Sequence, residues 1–322
     1  MYKDDYELWL NNVSEIQKKE LLEIASDEKE IKERFTLPLA FGTAGMRGTI
    51  CMGISNMNEY TVARATKGLS DYINSLGKDE AKRGVVISYD TRRMSFEFAL
   101  TSARVLGANG IKVSLFENVR PVPMCSFAVR ELNCIAGIMI TASHNPKEYN
   151  GYKVYGEDGA QMSPEATAGV VKFIQDTPYF GLAKEDVKTT CHKEIEGKDG
   201  FALSEHITVI GKSLDDKYYD ALSKLSLSKE AVEKVGKDIK IVYSPIHGSG
   251  FIPVTTMLAK MGISVSVVEE QKYPDTEFST VAVPNPEQPD ALKMGIDLAN
   301  KLGSDIVIGT DPDSDRMGIA IR

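Results

Sequence analysis

This chain is poor in the residues that mark several functional classes. Its 322 residues include four cysteines, four histidines and one tryptophan. Cys51, Cys125, Cys134 and Cys191 lie far apart and form no C-x-x-C pair, which excludes that redox or metal motif. They read as buried free thiols in a reducing compartment. No apolar run approaches the ~18 residues of a membrane-spanning helix. The N-terminus, Met1-Tyr2-Lys3-Asp4-Asp5-Tyr6, lacks the basic region and apolar core of a secretory signal. A cytoplasmic protein is therefore expected. Basic residues number 38 against 46 acidic ones, a net charge of −8, which argues against non-specific nucleic-acid binding. What is present is ordinary for a globular chain, with 42% hydrophobic and 26% charged residues. The length suggests about two domains.

The pattern along the chain is α/β. Residues 5 to 35 read as helical. Ser14 with Gln17 and Asp27 with Glu30 form candidate capping boxes. Trp9, Leu10, Val13, Ile16, Leu21, Leu22, Ala25 and Ile31 supply an apolar stripe for packing on the first domain. Two later regions read as copies of one unit. The first has strands at Val85 to Tyr89, Ile111 to Phe116 and Ile135 to Ile140, with a helix over about residues 95 to 109. The second has strands at Ile239 to Tyr243, Ile263 to Val268 and Asp305 to Ile308, with a helix over about residues 250 to 261. The joints Asn109-Gly110-Ile111 and Met261-Gly262-Ile263 are alike in wording, and Ile111 and Ile263 lie 152 residues apart. A duplicated α/β domain explains the likeness. Residues 181 to 200 are weakly patterned, so a first domain over 1–200 and a second over 201–322 are expected. Residues 271 to 290, with four prolines, are expected to form a connection with little regular structure.

Two loops stand out for chemistry. Asp311-Pro312-Asp313-Ser314-Asp315-Arg316 follows the apolar run Asp305 to Gly309. Three carboxylates at alternate positions repel one another unless a cation sits among them, and hard oxygen ligands suit Mg²⁺ or Ca²⁺. An EF-hand needs Gly at its sixth position and Glu at its twelfth; here those are Arg316 and Arg322. Taken alone, the run also fits an acidic surface turn. The second loop is Thr141-Ala142-Ser143-His144-Asn145-Pro146, at the C-terminal end of a predicted strand, where open α/β sheets place their chemistry. Taken alone, it also fits an ordinary strand-to-loop turn.

Together these segments resemble the α-D-phosphohexomutase family of phosphoglucomutases and phosphomannomutases. T-A-S-H-N-P is similar to that family's phosphoserine loop, and Asp311 to Arg316 to its magnesium loop. Phe41-Gly42-Thr43-Ala44-Gly45-Met46-Arg47-Gly48 resembles its N-terminal arginine loop. Tyr89-Asp90-Thr91-Arg92 and Asn150-Gly151-Tyr152-Lys153 also match, in the family's order. The resemblance covers roughly residues 37 to 322 and is strongest to the phosphoglucomutase and phosphopentomutase branch. It implies two similar three-layer α/β/α domains with mixed sheets, besides the N-terminal helical extension. It also implies that the serine and acidic loops face each other across a cleft.

The resemblance further assigns roles. Ser143 would carry the phosphoryl group. Mg²⁺ on Asp311, Asp313 and Asp315 would complete its shell at Ser143, and Lys153 would act as general acid/base with a pKa lowered by nearby cations. A hexose 1,6-bisphosphate would be intermediate and activator. Arg47 and Arg316 offer guanidinium groups for phosphate oxygens. Arg92 suits the same task or a structural pair with Asp90. His144 adjoins the nucleophile and suits bonding a phosphate or assisting proton transfer, although adjacent residues on a strand point apart, so a Ser–His nucleophile pair is not implied. His247, in Ser244-Pro245-Ile246-His247-Gly248-Ser249-Gly250, suits an anion or loop packing, and His192 and His206 show no partner signal. The expected activity is a phosphosugar mutase that moves phosphate between C1 and C6 of a hexose, most simply glucose. Phosphomannomutase and phosphopentomutase activities stay open. So do a serine hydrolase, which lacks a G-x-S-x-G elbow here, and a non-catalytic magnesium or sugar-phosphate binding module. The family has four domains. Motifs of its third and fourth are not found, so a fragment is expected, with negligible mutase turnover alone although its transfer machinery is present.

Overall fold

Local sequence breaks the N-terminal region into three helices. The computed structural model describes residues 2–322. Helices α1 (Tyr2–Asn12), α2 (Glu15–Glu23) and α3 (Glu28–Phe35) are separated where Ser14 and Asp27 cap the next helix. Ser14 and Gln17 make the full reciprocal box, and the Asp27 side chain accepts the Glu30 N–H. Each break resets the helical phase, so the expected single stripe does not hold. Trp9, Leu21 and Ile31 are buried with Tyr6 and Phe35, whereas Ile16 is 81% and Leu22 53% exposed. Trp9 packs edge-on against Tyr60 at 5.4 Å and Phe180 at 5.3 Å, which seats the helices on the first domain.

The first domain continues with β1 (Met46–Thr49), α4 (Glu59–Leu76), α5 (Lys78–Arg83), β2 (Val85–Tyr89), α6 (Ser95–Ala108), β3 (Val113–Phe116), α7 (Val122–Glu131), β4 (Ala136–Ile140), β5 (Tyr149–Gly156), α8 (Pro164–Asp176), α9 (His192–Ile195) and β6 (Ile207–Ile210). Its sheet has the order β1-β5-β4-β2-β3-β6. Strands β2, β3, β4 and β6 are parallel, and β5 and β1 add antiparallel at one edge. Central strands β2 and β4 are buried along their whole length, as unbroken apolar runs between two helical layers should be. On one face Ile87, Ile138 and Val154 pack with residues of α4, α6 and α8. On the other, Val86, Met139 and Tyr155 pack with Val129 of α7 and, from the segment that follows β6, Leu214. Strand β6 carries this sheet to Ile210, beyond the expected boundary near 200. A four-residue strand flanked by Gly211 and polar residues leaves little periodic signal.

The second domain comprises α10 (Lys212–Ser223), α11 (Lys229–Val235), β7 (Ile241–Ser244), α12 (Phe251–Lys260), β8 (Val265–Val267), α13 (Pro289–Leu302), β9 (Ile306–Thr310) and β10 (Met317–Ile321). Its sheet order, β10-β9-β7-β8, repeats β5-β4-β2-β3 with the same strand directions. The helix-to-strand joints repeat too. Gly110 and Gly262 have φ of +76° and +77°. In each copy the isoleucine after the glycine donates back into the helix, Ile111 to Leu106 at 3.1 Å and Ile263 to Leu258 at 2.9 Å. Those residues belong to the turn, so β3 and β8 begin two residues later than expected. A Cβ at either glycine meets no atom within 4 Å. Gly110→Ala and Gly262→Ala should therefore each cost only the left-handed backbone penalty, about 1–2 kcal/mol. Urea unfolding of the two variants checks this; a much larger loss in one would show that the joints are not equivalent.

Residues 272–288, with Pro274, Pro284 and Pro286, contain no helix or strand. Among the described residues no helix is long and apolar enough to cross a membrane. Cys125 and Cys134 are buried as expected, while Cys191 is exposed and Cys51 half-buried; all four are free.

Candidate active site

The two fourth-strand equivalents, β4 and β9, end in the two loops singled out above. Both loops emerge at the C-terminal edges of their parallel strands, and the domains are arranged so that the loops touch. Ser143 Oγ donates to Asp311 Oδ2 at 2.8 Å. Thr141 Oγ1 accepts the Ser143 N–H at 2.8 Å and donates to Asp313 Oδ2 at 3.1 Å. The Val122 N–H, at the start of α7, donates to the Asp313 carbonyl at 2.9 Å. Ser143 and Ser314 both adopt the left-handed region, with φ of +53° and +52°. That conformation turns Ser143 out of the strand alternation. Its Oγ therefore lies 3.2 Å from His144 Nδ1, a contact that the sequence reading did not expect.

Asp311, Asp313 and Asp315 each present an oxygen within 4.8 Å of the others. Asp311 and Asp313 are fully buried, and Asp315 reaches solvent. Lys153, on β5, lies among them: its Nζ is 2.8 Å from Asp313 Oδ2 and 3.4 Å from Asp315 Oδ2. Burial and the neighbouring Asp313 carboxylate push the Asp311 carboxyl up to about 8. Burial acts on Asp313 in the same sense, but the Lys153 ammonium outweighs it and holds that carboxyl below its ordinary value. Burial works to lower Lys153, yet the Asp313 and Asp315 carboxylates keep it above the usual lysine value. The lowered lysine pKa implied by the family resemblance is thus not found in this arrangement. Carboxylates, rather than cations, are its nearest charges.

The donor set fits a hard divalent cation. All three side chains offer oxygen, and Asp313 Oδ1 is buried without a hydrogen-bond partner. Asp311, Asp313 and Asp315 are the residues that would hold it.

The expected phosphate-binding residues divide. Arg47, on β1 opposite Gly151, is exposed and donates to Asn145 Oδ1 at 2.8 Å, which puts it beside the serine loop. Its approach depends on Gly45, at φ +77°, where a Cβ would collide with the Tyr152 carbonyl. Arg316 is also partly exposed; its backbone N–H donates to Asp311 Oδ1 at 3.0 Å and its guanidinium lies 3.2 Å from Glu287. Arg92 differs from the expectation. Its side chain is buried, and it donates to the carbonyls of Ser143, Asn145, Pro146 and Tyr149. These carbonyls occupy both terminal nitrogens of its guanidinium, and Nε faces Asp90. His247 differs likewise: Nδ1 lies 3.1 Å from the Tyr273 carbonyl and Nε2 2.8 Å from Thr280 Oγ1, so both nitrogens serve loop packing. The glycine-bearing loop around it braces the acidic loop, since Ser249 donates its N–H and Oγ to the Pro312 carbonyl, each at 2.8 Å. His206 pairs with Glu185, and His192 meets Phe96 edge-on at 4.9 Å.

Thr141 is the site residue that sequence reasoning passed over. Its signal was position: two residues before Ser143, at the strand end facing the other loop. A cavity of about 650 Å³ opens between the domains next to Arg92. Tyr89, Phe96 and His192 line one side and Phe251 and Tyr273 the other, whereas Ser143, Lys153 and the three aspartates do not line it.

Comparison with known proteins agrees with this fold. Residues 38–179 match the family model for phosphoglucomutase/phosphomannomutase, alpha/beta/alpha domain I, and residues 216–322 match that for domain II. The chain belongs to the phosphoglucomutase/phosphomannomutase family. Among its curated relatives, the phosphoglucomutase of Staphylococcus aureus (strain USA300) is 37% identical over 320 residues, covering 99% of this chain and 54% of that protein. The phosphoglucomutase of Staphylococcus saprophyticus is 36% identical over 316 residues, covering 98% and 54%. A solved structure from Thermus thermophilus, assigned as a phosphomannomutase, superposes with a TM-score of 0.69 at 26% identity, covering 88% of this chain and 57% of that one. The chain spans about half the length of the curated relatives it matches.

Proposed function

We propose that this chain carries the phosphoryl-transfer half of a phosphosugar mutase, with Ser143 as the phosphoryl carrier. The observation that supports it most is the contact of Ser143 Oγ with the Asp311 carboxyl group, within an acidic triad, buried at Asp311 and Asp313, that Lys153 partly neutralises. Glucose 1-phosphate and glucose 6-phosphate are the substrates favoured by the likeness to two phosphoglucomutases. Glucose 1,6-bisphosphate is the corresponding intermediate and activator, and a reducing, cytoplasmic setting suits four free thiols.

In the loading step the Ser143 Oγ–P bond forms as the bond between phosphorus and a sugar oxygen breaks. The serine proton passes to a neighbouring base, and the departing sugar oxygen takes up a proton. Asp311 accepts the serine hydrogen bond, and the base beside the hydroxyl is His144, which burial, with Arg316 and Arg47 near, holds below the ordinary histidine value. A neutral imidazole is able to accept a proton at pH 7. Arg47, on the exposed side, is placed to grip phosphate oxygens. Lys153 supplies a fixed positive charge beside the transfer point. A divalent cation bound by the three aspartates would withdraw charge from the phosphoryl oxygens. In the reverse transfer the same groups return the phosphoryl to the other hydroxyl of the sugar.

The test is direct. Incubation with glucose 1,6-bisphosphate and Mg²⁺ should add one phosphoryl group per chain by intact mass and release glucose monophosphate. No mass gain would overturn the reading. Labelling of Ser143 by a serine-directed acylating probe would favour the hydrolase reading instead.

A further inference from the structure

We propose that Arg92 is the positioning residue of the serine loop, and that Phe278 of the second domain completes its cage. The conformation of Ser143 then depends on the irregular segment 272–288. The consequence for phosphoryl transfer rests on the function proposed above; the structural coupling does not.

The Arg92 guanidinium is buried in its own domain. Nη2 donates to the Ser143 and Asn145 carbonyls, each at 2.6 Å, and Nη1 to those of Pro146 at 2.9 Å and Tyr149 at 3.1 Å. Its Nε lies 3.4 Å from Asp90 Oδ2. Asp90 is itself fixed, accepting from the Arg92 N–H at 2.9 Å and Ser95 Oγ at 2.7 Å. One planar fork thus sets the direction of four carbonyls in a loop of seven residues. A lysine ammonium, with three donors on a point charge, cannot reproduce that geometry. The Ser143 carbonyl is among the four. Gripping it fixes the peptide that follows a left-handed serine, a conformation an L-residue leaves readily when unrestrained.

The outer face of the cage comes from the other domain. The Phe278 ring lies 5.2 Å from the Arg92 guanidinium carbon. Phe278 is buried and also left-handed, at φ +47°. Its segment has no helix or strand to hold it. It is held by His247, which bonds Tyr273 and Thr280 on either side and packs edge-on to Phe278 at 6.4 Å. An exposed pair, Lys147 with Glu277 at 2.8 Å, ties the serine loop to the same segment. His247, which the sequence suggested for anion binding, thereby gains a part in positioning: it shapes the segment that presses Phe278 onto Arg92.

Hydrogen exchange and transfer kinetics on the whole chain test the coupling. Phe278→Leu keeps apolar volume and removes the aromatic face. It should raise amide exchange across residues 141–149 by about tenfold while leaving β2 and β4 protected. Arg92→Lys should raise it further. The rate of phosphoryl uptake from glucose 1,6-bisphosphate should fall by at least the same factor at saturation, with the half-saturating concentration little changed, because the loop's aim is lost and not the binding surface. Unchanged exchange across 141–149 in both variants would overturn the proposal, and if Arg92→Lys fails to fold, the Phe278→Leu result decides alone. Raised exchange in a protein whose wild type accepts no phosphoryl group would support the coupling and remove the proposed function instead.

Discussion

Alanine at position 143 is expected to bring phosphoryl uptake from glucose 1,6-bisphosphate to background, a loss on the order of 10⁴-fold or more, as removal of an attacking oxygen does. The substitution is otherwise mild. Ser143 and alanine share a Cβ, so the left-handed backbone at φ +53° is no more strained than before. The Arg92 bonds to the Ser143 and Asn145 carbonyls involve main chain and persist. What is lost is one buried hydroxyl that donates to Asp311, so folding should weaken by no more than about 1–3 kcal/mol. Asp311, already pushed up to about 8 by burial and Asp313, is able to remain protonated and limit that loss. Intact mass after incubation, beside an unfolding curve, separates the two effects. Phosphoryl incorporation equal to wild type would remove Ser143 as the carrier, whatever the stability.

Much of this arrangement was legible in the sequence because it is local. Val85 to Tyr89 reads as a strand because each of its residues suits a position buried on both faces, and the structure agrees to the residue. Ser143 and the three aspartates announce themselves by chemistry at strand ends. The duplicated joint at Gly110 and Gly262 is a single turn whose residues carry its geometry. Other features are not local and were missed. Arginine at position 92 offers five donors, but nothing in Asp90-Thr91-Arg92 says that carbonyls 51 to 57 residues later will take four of them. His247 has the same difficulty, since its partners lie 26 and 33 residues on, in a segment without periodicity. The contact of Ser143 with His144 depends on one backbone torsion, and strand alternation predicts the opposite. Lys153 was correctly set on a strand, but its charge environment is built by the other domain.

Lysine 153 gives the second large effect. Its ammonium and a divalent cation would share the same carboxylates, those of Asp313 and Asp315. Replacing it by methionine keeps the buried stem and removes the charge. Without added metal, Lys153→Met should lose about 3–5 kcal/mol of stability, the usual result of breaking a buried pair from one side. The deficit should shrink as pH falls. With the ammonium gone, the folded triad binds protons more tightly than the unfolded chain, so stability is present at low pH and is lost as pH rises through the raised carboxyl pKa. Magnesium should act in the opposite direction to this loss. A cation that binds only the folded state stabilises it according to its affinity, and in the variant it no longer competes with an ammonium for Asp313. Mg²⁺ should therefore bind Lys153→Met more than about tenfold tighter than wild type, each tenfold step being about 1.4 kcal/mol. It should also restore much of the lost stability. Calorimetric titration with Mg²⁺, and unfolding with and without it, measure both quantities. Equal affinities in the two proteins would show that lysine and metal do not share ligands; weaker binding in the variant would show that Lys153 arranges the aspartates for the cation.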